Sequence, residues 1–140
     1  MLTIIEIKEA VEIEKVNDFI HDCWFNIEEI KQNDTTLTIP FQLIQTDEQE
    51  LLKRFLFMKK IRIKVFKCNL NILQTQNYSI KDTENIGSYD FNKLKYSLQD
   101  NVIHVITGIP LGFHIKVSKL HIAIEKPDKP FETKEKWKFL

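Results

Sequence analysis

Hydrophobic positions change their period along this chain, and each change predicts a change of element. Residues 2–7 read as a short first strand. Ile13, Val16, Ile20 and Cys23 then fall at spacings of three, four and three, with Phe19 beside them. That is one apolar stripe on a helix of about residues 10–22. Glu9, Glu12 and Glu14 crowd its first turns, where the helix dipole favours anions.

From residue 24 the period becomes two. Phe25, Ile27 and Ile30 give an approximate alternation, Asn33-Asp34 is a turn signal, and Leu37, Ile39, Phe41 and Leu43 alternate cleanly. The pattern predicts a β-hairpin. Pro40 inside the second run argues for an edge strand or a bulge there. Residues 45–54 are polar and read as a loop or a short helical turn, and Phe55-Leu56-Phe57-Met58 is an apolar run of either type. Ile61, Ile63 and Val65 then share a face opposite Lys60, Arg62 and Lys64. After Phe66-Lys67 the apolar set becomes Cys68, Leu70 and Ile72. A reversal of phase within one strand is what a β-bulge produces, so a bulge is expected at Phe66-Lys67.

Asp82 to Ser88 is a loop, Tyr89 and Phe91 open a further strand continuing through Leu94 and Tyr96, and Asp100-Asn101 is a turn. Residues 102–107 are apolar on both parities apart from His104 and read as a central strand. Gly108-Ile109-Pro110-Leu111-Gly112 is an elbow. Phe113, Ile115 and Val117 share a face, as do Leu120, Ile122 and Ile124 after a second phase slip at Ser118-Lys119. Pro127 and Pro130 end the pattern. These elements predict an α+β, mainly β domain over residues 1–126. One N-terminal helix precedes about seven antiparallel strands, forming a sandwich or a curved, partly closed sheet. Residues 127–140 read as a C-terminal tail or arm.

Composition narrows this picture without naming a function. The 140 residues include ten Phe and three Gly, so the core is expected to be aromatic. So few glycines, and no G-x-G-x-x-G or G-x-x-x-x-G-K-[ST], exclude the usual phosphate-cradling loops. Cys23 and Cys68 make no disulfide framework. With no signal-like leader and no apolar run longer than four residues, the expectation is a cytoplasmic chain with reduced thiols and no membrane span.

The charges are sorted by position. Residues 1–50 hold twelve acids and three bases, whereas residues 51–70 hold seven bases and no acid, in a chain of zero net charge. Such a chain either pairs its two segments or shows a basic stripe to an anionic partner. Lys60, Arg62 and Lys64 on one strand face, with Phe66 next, could hold a single-stranded nucleic acid by neutralisation and stacking. The sequence pI of 6.9 weighs against that reading. Intramolecular complementarity, with the acidic helix lying over the stripe, is the preferred expectation.

His21-Asp22-Cys23-Trp24 is the densest cluster of reactive side chains. A nucleophilic cysteine needs a base within hydrogen-bond reach, and a histidine two residues earlier on a helix points elsewhere. His104, His114 or His121 would have to supply it. Core packing of Cys23 and a helix-end role for His21 are the preferred account of the cluster. His104 shares a face with Val102 and Ile106, whereas His114 and His121 lie on the polar parity of their strands. No H-x-x-x-H or C-x-x-C spacing marks a metal site, and Asp82-x-Glu84-x-x-Gly87 fails as a calcium loop at its twelfth position, Lys93. No metal and no cofactor is expected.

Three segments resemble those of a small, uncharacterised bacterial protein family: His21-Asp22-Cys23-Trp24-Phe25, Leu37-Thr38-Ile39-Pro40-Phe41, and Asp82 to Asn92. The resemblance implies a compact free-standing domain and lends no functional residue. A helix ending in His-Asp before an antiparallel sheet is also similar to some small immunity-type and regulatory proteins. The sequence thus predicts a small non-catalytic binding or interaction protein, its partner another protein or a second copy. Lys60, Arg62, Lys64 and Trp137 are the candidate contact residues. An enzyme using His21, Asp22 and Cys23, and a single-stranded nucleic-acid binder, are the alternatives.

Overall fold

The computed structural model describes the backbone of residues 1–55 and 57–139, and the side chains of those residues outside 47–56. Strand β1 (Leu2–Ile7) leads through a 3₁₀ turn (Ala10–Glu12) into helix α1 (Ile13–Ile20). Then follow β2 (Trp24–Asn26), a 3₁₀ turn (Ile27–Glu29), β3 (Lys31–Asn33), β4 (Thr36–Phe55), β5 (Met58–Ile72), β6 (Thr75–Lys81) and β7 (Ser88–Ser97). The chain ends with β8 (Val102–Thr107), β9 (Gly112–Val117), β10 (Ile122–Lys126) and β11 (Glu132–Phe139). The strands pair in the order β1-β10-β5-β4-β2-β7-β8-β9-β6, with β3 on β4 and β11 on β5. Every pairing is antiparallel. The sheet curves without closing, which is the mainly β, α+β architecture that the alternation predicts. The strands are more numerous than the predicted seven because β2 and β3 are three-residue pieces and because β6 and β11 were not foreseen.

Asp34 (φ 55°) turns β3 into β4 and Asn101 (φ 53°) turns β7 into β8; these residue types tolerate the left-handed region. On the side of β4 away from β5, β3 pairs with Thr36–Thr38 and β2 with Phe41–Gln42. Pro40 falls between them, so its missing N–H interrupts neither ladder. The interior is aromatic. Phe91 stacks on Phe25 at 4.5 Å and meets Phe41 edge-on at 5.9 Å, while Phe25 lies 6.2 Å from Phe113. Leu37, Ile39, Leu70, Ile72, Ile103 and Ile115 fill the space around them.

Four expectations change. The polar stretch 45–54 continues β4 to Phe55, in register with β5 except for shifts between Asp47 and Lys53. The phase reversal in β5 involves no bulge, since the β4–β5 register runs unbroken from Leu37↔Ile72 to Asp47↔Arg62. Val65 and Phe66 are both buried because the covered face of β5 changes there, from the parity of Ile61 and Val65 to that of Phe66, Cys68 and Leu70. The slip at Ser118-Lys119 is a connection, since β9 pairs with β6 and β8 whereas β10 pairs with β1 and β5. A bulge does occur in β7. Phe91 faces Thr107 and Lys93 faces Ile106, so Asn92 is the extra residue that moves burial from Tyr89 and Phe91 to Leu94.

The helix packs on β7 and not on β5. Val16 and Ile20 are fully buried. The buried Asn17 side chain donates from Nδ2 to the Leu94 carbonyl (3.1 Å) and accepts from the Leu94 N–H (2.8 Å). This pair of bonds satisfies both backbone groups of Leu94 on the side of β7 beyond the reach of β2. Asn17→Ala leaves two buried backbone groups unpaired and is expected to cost about 1–3 kcal/mol of stability. Urea unfolding checks this, with exposed Asp18→Ala as the near-neutral comparison.

Candidate functional site

The sequence-predicted contact residues converge on one structure, a three-stranded ribbon. β5 is its centre. Met58–Val65 pair with β4 on one side and with β11 on the other, from Val65↔Glu132 to Met58↔Phe139. Eight residues of β11 span about 26 Å at strand rise. The segment read as a tail is therefore a strand, and Phe131 N–H bonding to the Val65 carbonyl (2.8 Å) starts it.

Register places Lys60 beside Trp137, Arg62 beside Glu135 and Lys64 beside Thr133. Lys60 Nζ lies 2.7 Å from a Glu135 carboxylate oxygen and 5.9 Å from the Trp137 ring centre. Hydrogen bonding to that ammonium, with Arg62 nearby, holds the Glu135 carboxyl below its usual range. Arg62 and Lys64 also have partners. Lys60 is thus partnered within the chain, but by an acid of β11 and not by the acidic helix expected over it, which lies on β7. At the base of the ribbon Lys67 Nζ sits 3.8 Å from the Phe131 ring centre and Lys126 Nζ sits 3.9 Å from that of Phe66, a favourable contact for a cation over an aromatic face. The side chains of Lys53 and Arg54 lie outside the described residues.

Aromatic exposure concentrates here. Phe57 (78%), Phe131 (63%), Phe139 (81%) and Trp137 (39%) are solvent-accessible. Phe57 and Phe139 share the tip, where β4 turns into β5, and Phe131 marks the base. Ile44 on β4 is exposed as well. Over residues 43–67 and 131–139 the sequence carries ten bases and five acids, so the rest of the chain is correspondingly acidic. Sequence reasoning missed the ribbon because β11 is polar at most positions and its pairing is long-range.

The reactive cluster is taken apart by the fold. His21 and Asp22 are exposed at the helix end, 3.5 Å from each other, and His21 Nδ1 lies 3.0 Å from the Asn92 carbonyl. Cys23 points into the core, its Sγ 3.7 Å from the Phe19 carbonyl. Burial pushes both thiols, Cys23 and Cys68, up to about 11, the reverse of what activates a nucleophile. His121 faces Glu6 at 3.5 Å. His104 and His114 are register partners on β8 and β9 with their Nδ1 atoms 2.7 Å apart, a pairing that strand parity alone does not reveal. No cluster of three or more metal-ligating side chains occurs among the described residues. No described helix is long and apolar enough to cross a membrane.

Compared with protein-family models, with curated proteins and with solved structures, the chain has no match.

At about pH 8 a thiol of this kind is ionised at roughly one part in a thousand. Both cysteines are expected to react with a disulfide reagent only as fast as the protein unfolds. Following thiol release in buffer and in denaturant measures this; a rapid native phase from either cysteine contradicts the burial described.

Proposed function

We propose that this protein is a non-catalytic binding protein that engages another protein through the ribbon of β4, β5 and β11. The observation that supports this reading is the gathering of Phe57, Phe131, Trp137 and Phe139 on one element in exposed positions. Exposed aromatics grouped on a rigid scaffold are characteristic of interface cores, where they supply large contact area at low entropy cost. The surrounding lysines suit a partner with an acidic rim, because such charges steer encounter and set specificity more than affinity. The outer edges of β4 and β11 also carry strand groups to which an extended segment of a partner could add.

A single-stranded nucleic acid is the second reading, favoured by the excess of bases on the ribbon. Its weakness is the internal pairing of Lys60, which leaves less charge for phosphate. Fluorescence anisotropy with a short oligonucleotide, at low and at moderate salt, is expected to show no salt-sensitive binding. Tight binding at low salt that Lys60→Glu with Lys64→Glu abolishes would establish this second reading instead.

The protein-binding reading is tested by placing a photo-crosslinking residue in living cells at Phe139 or at Phe57, and at exposed Leu98 on the body as control. Protein adducts at the two ribbon positions and none at Leu98 are expected. Equal labelling at all three, or no adduct at the ribbon, overturns the reading.

A further inference from the structure

The outer face of β7, β8 and β9 carries a second feature, independent of the ribbon and separated from β5 by several strands in the sheet order. Lys95, His104 and His114 are successive register partners across β7, β8 and β9. They form one transverse row, with about 4.8 Å between neighbouring strands. Beyond His114 along β9 comes Gly112, paired with Lys81 of β6. A Cβ at Gly112 would stand 3.2 Å from the Lys81 Cβ, so glycine there lets the lysine stem lie close against β9. The Pro110-Leu111 elbow and Ile106 wall a groove of about 800 Å³ beside this row. Grooves of that size hold small-molecule ligands.

The lining is chemically one-sided. It contains Lys81, Lys95, His104, His114 and the Thr83 hydroxyl, and no carboxylate; the Ser97 and Thr107 hydroxyls donate elsewhere, to Asp100 and to the Ile109 carbonyl. Lys81 and Lys95 form no ion pair among the described residues. The two histidines bond to each other through Nδ1, which fixes their rings and leaves each Nε2 without a protein partner among the described residues. A merely solvated cationic face would lack the apolar walls, and a merely apolar depression would lack the converging donors. We propose that this groove binds a small amphipathic organic acid, with its carboxylate against the Lys95–His104–His114 row and its apolar body against Ile106, Pro110 and Leu111.

The test is an amide chemical-shift titration of the full chain with octanoate, with acetate and with 1-octanol. Octanoate is expected to move the signals of residues 104–106 and 110–114 saturably, with a Kd of about 1 mM or tighter. Acetate, lacking the body, and 1-octanol, lacking the charge, are expected to bind about tenfold more weakly, since each forgoes roughly one such interaction. Lys95→Gln combined with His114→Gln, both at exposed positions, should weaken octanoate about tenfold. The same pair should leave 1-octanol binding and the thermal midpoint unchanged. Equal affinity for octanoate and 1-octanol, shifts centred outside the groove, or no saturable shift at all would each overturn the proposal.

Discussion

The structure depends on one strand that belongs to both the body and the ribbon. β5 keeps β4 as its neighbour on one side from end to end, while its other side is shared by β10 along Asn69–Ile72 and β11 along Met58–Val65. Side chains alternate across a strand, so a continuous ladder fixes which residues face which way. The body buries Phe66, Cys68, Leu70 and Ile72, and the ribbon covers the opposite parity, Ile61 and Val65. Each large apolar side chain buried is worth about 1.5–3 kcal/mol. Neither parity can therefore be left in water, and β11 pairs with the stretch of β5 that carries the second set.

That requirement explains where the charges lie. The side of β5 opposite Ile61, Ile63 and Val65 carries Lys60, Arg62 and Lys64, and the facing strand supplies Glu135 and Trp137 to meet them. An exposed ion pair of this kind adds little stability; its place in the register contributes more to which residues of β11 pair with which of β5. The acids of helix α1 sit on a separate part of the molecule. There α1 is held to β7 by Asn17 and by the apolar stripe of Val16 and Ile20. Basic ribbon and acidic body are thus separate features of one neutral chain.

Local periodicity made much of this legible. The helix, the turn at Asp34, the alternation of Leu37, Ile39 and Phe41, and the aromatic core all follow from spacings within a few residues. What was hidden depends on partners distant in sequence. The reversal between Val65 and Phe66 carries the same pattern as a bulge, and only knowing what covers each face separates the two. At Asn92, by contrast, the shift from Phe91 to Leu94 is a true bulge. The Lys60–Glu135 and His104–His114 pairs follow from strand register, which a single sequence leaves undetermined. His21, Asp22 and Cys23 illustrate the converse: three reactive residues adjacent in sequence are sent by a helix end and a left-handed Asp22 (φ 66°) to different surroundings.

β5 forms one continuous strand whose N-terminal half is the middle of a three-stranded ribbon. Native-state amide hydrogen exchange measures it directly, because protection reports paired backbone N–H groups and the free energy of opening them. Protection is expected along β5 from residue 60 through residue 72, with matching protection in β11 and loss of the ribbon's protection as a unit separate from the body. Protection of residues 66–72 alone, with residues 58–64 and 132–139 exchanging at the rate of an open chain, would contradict it.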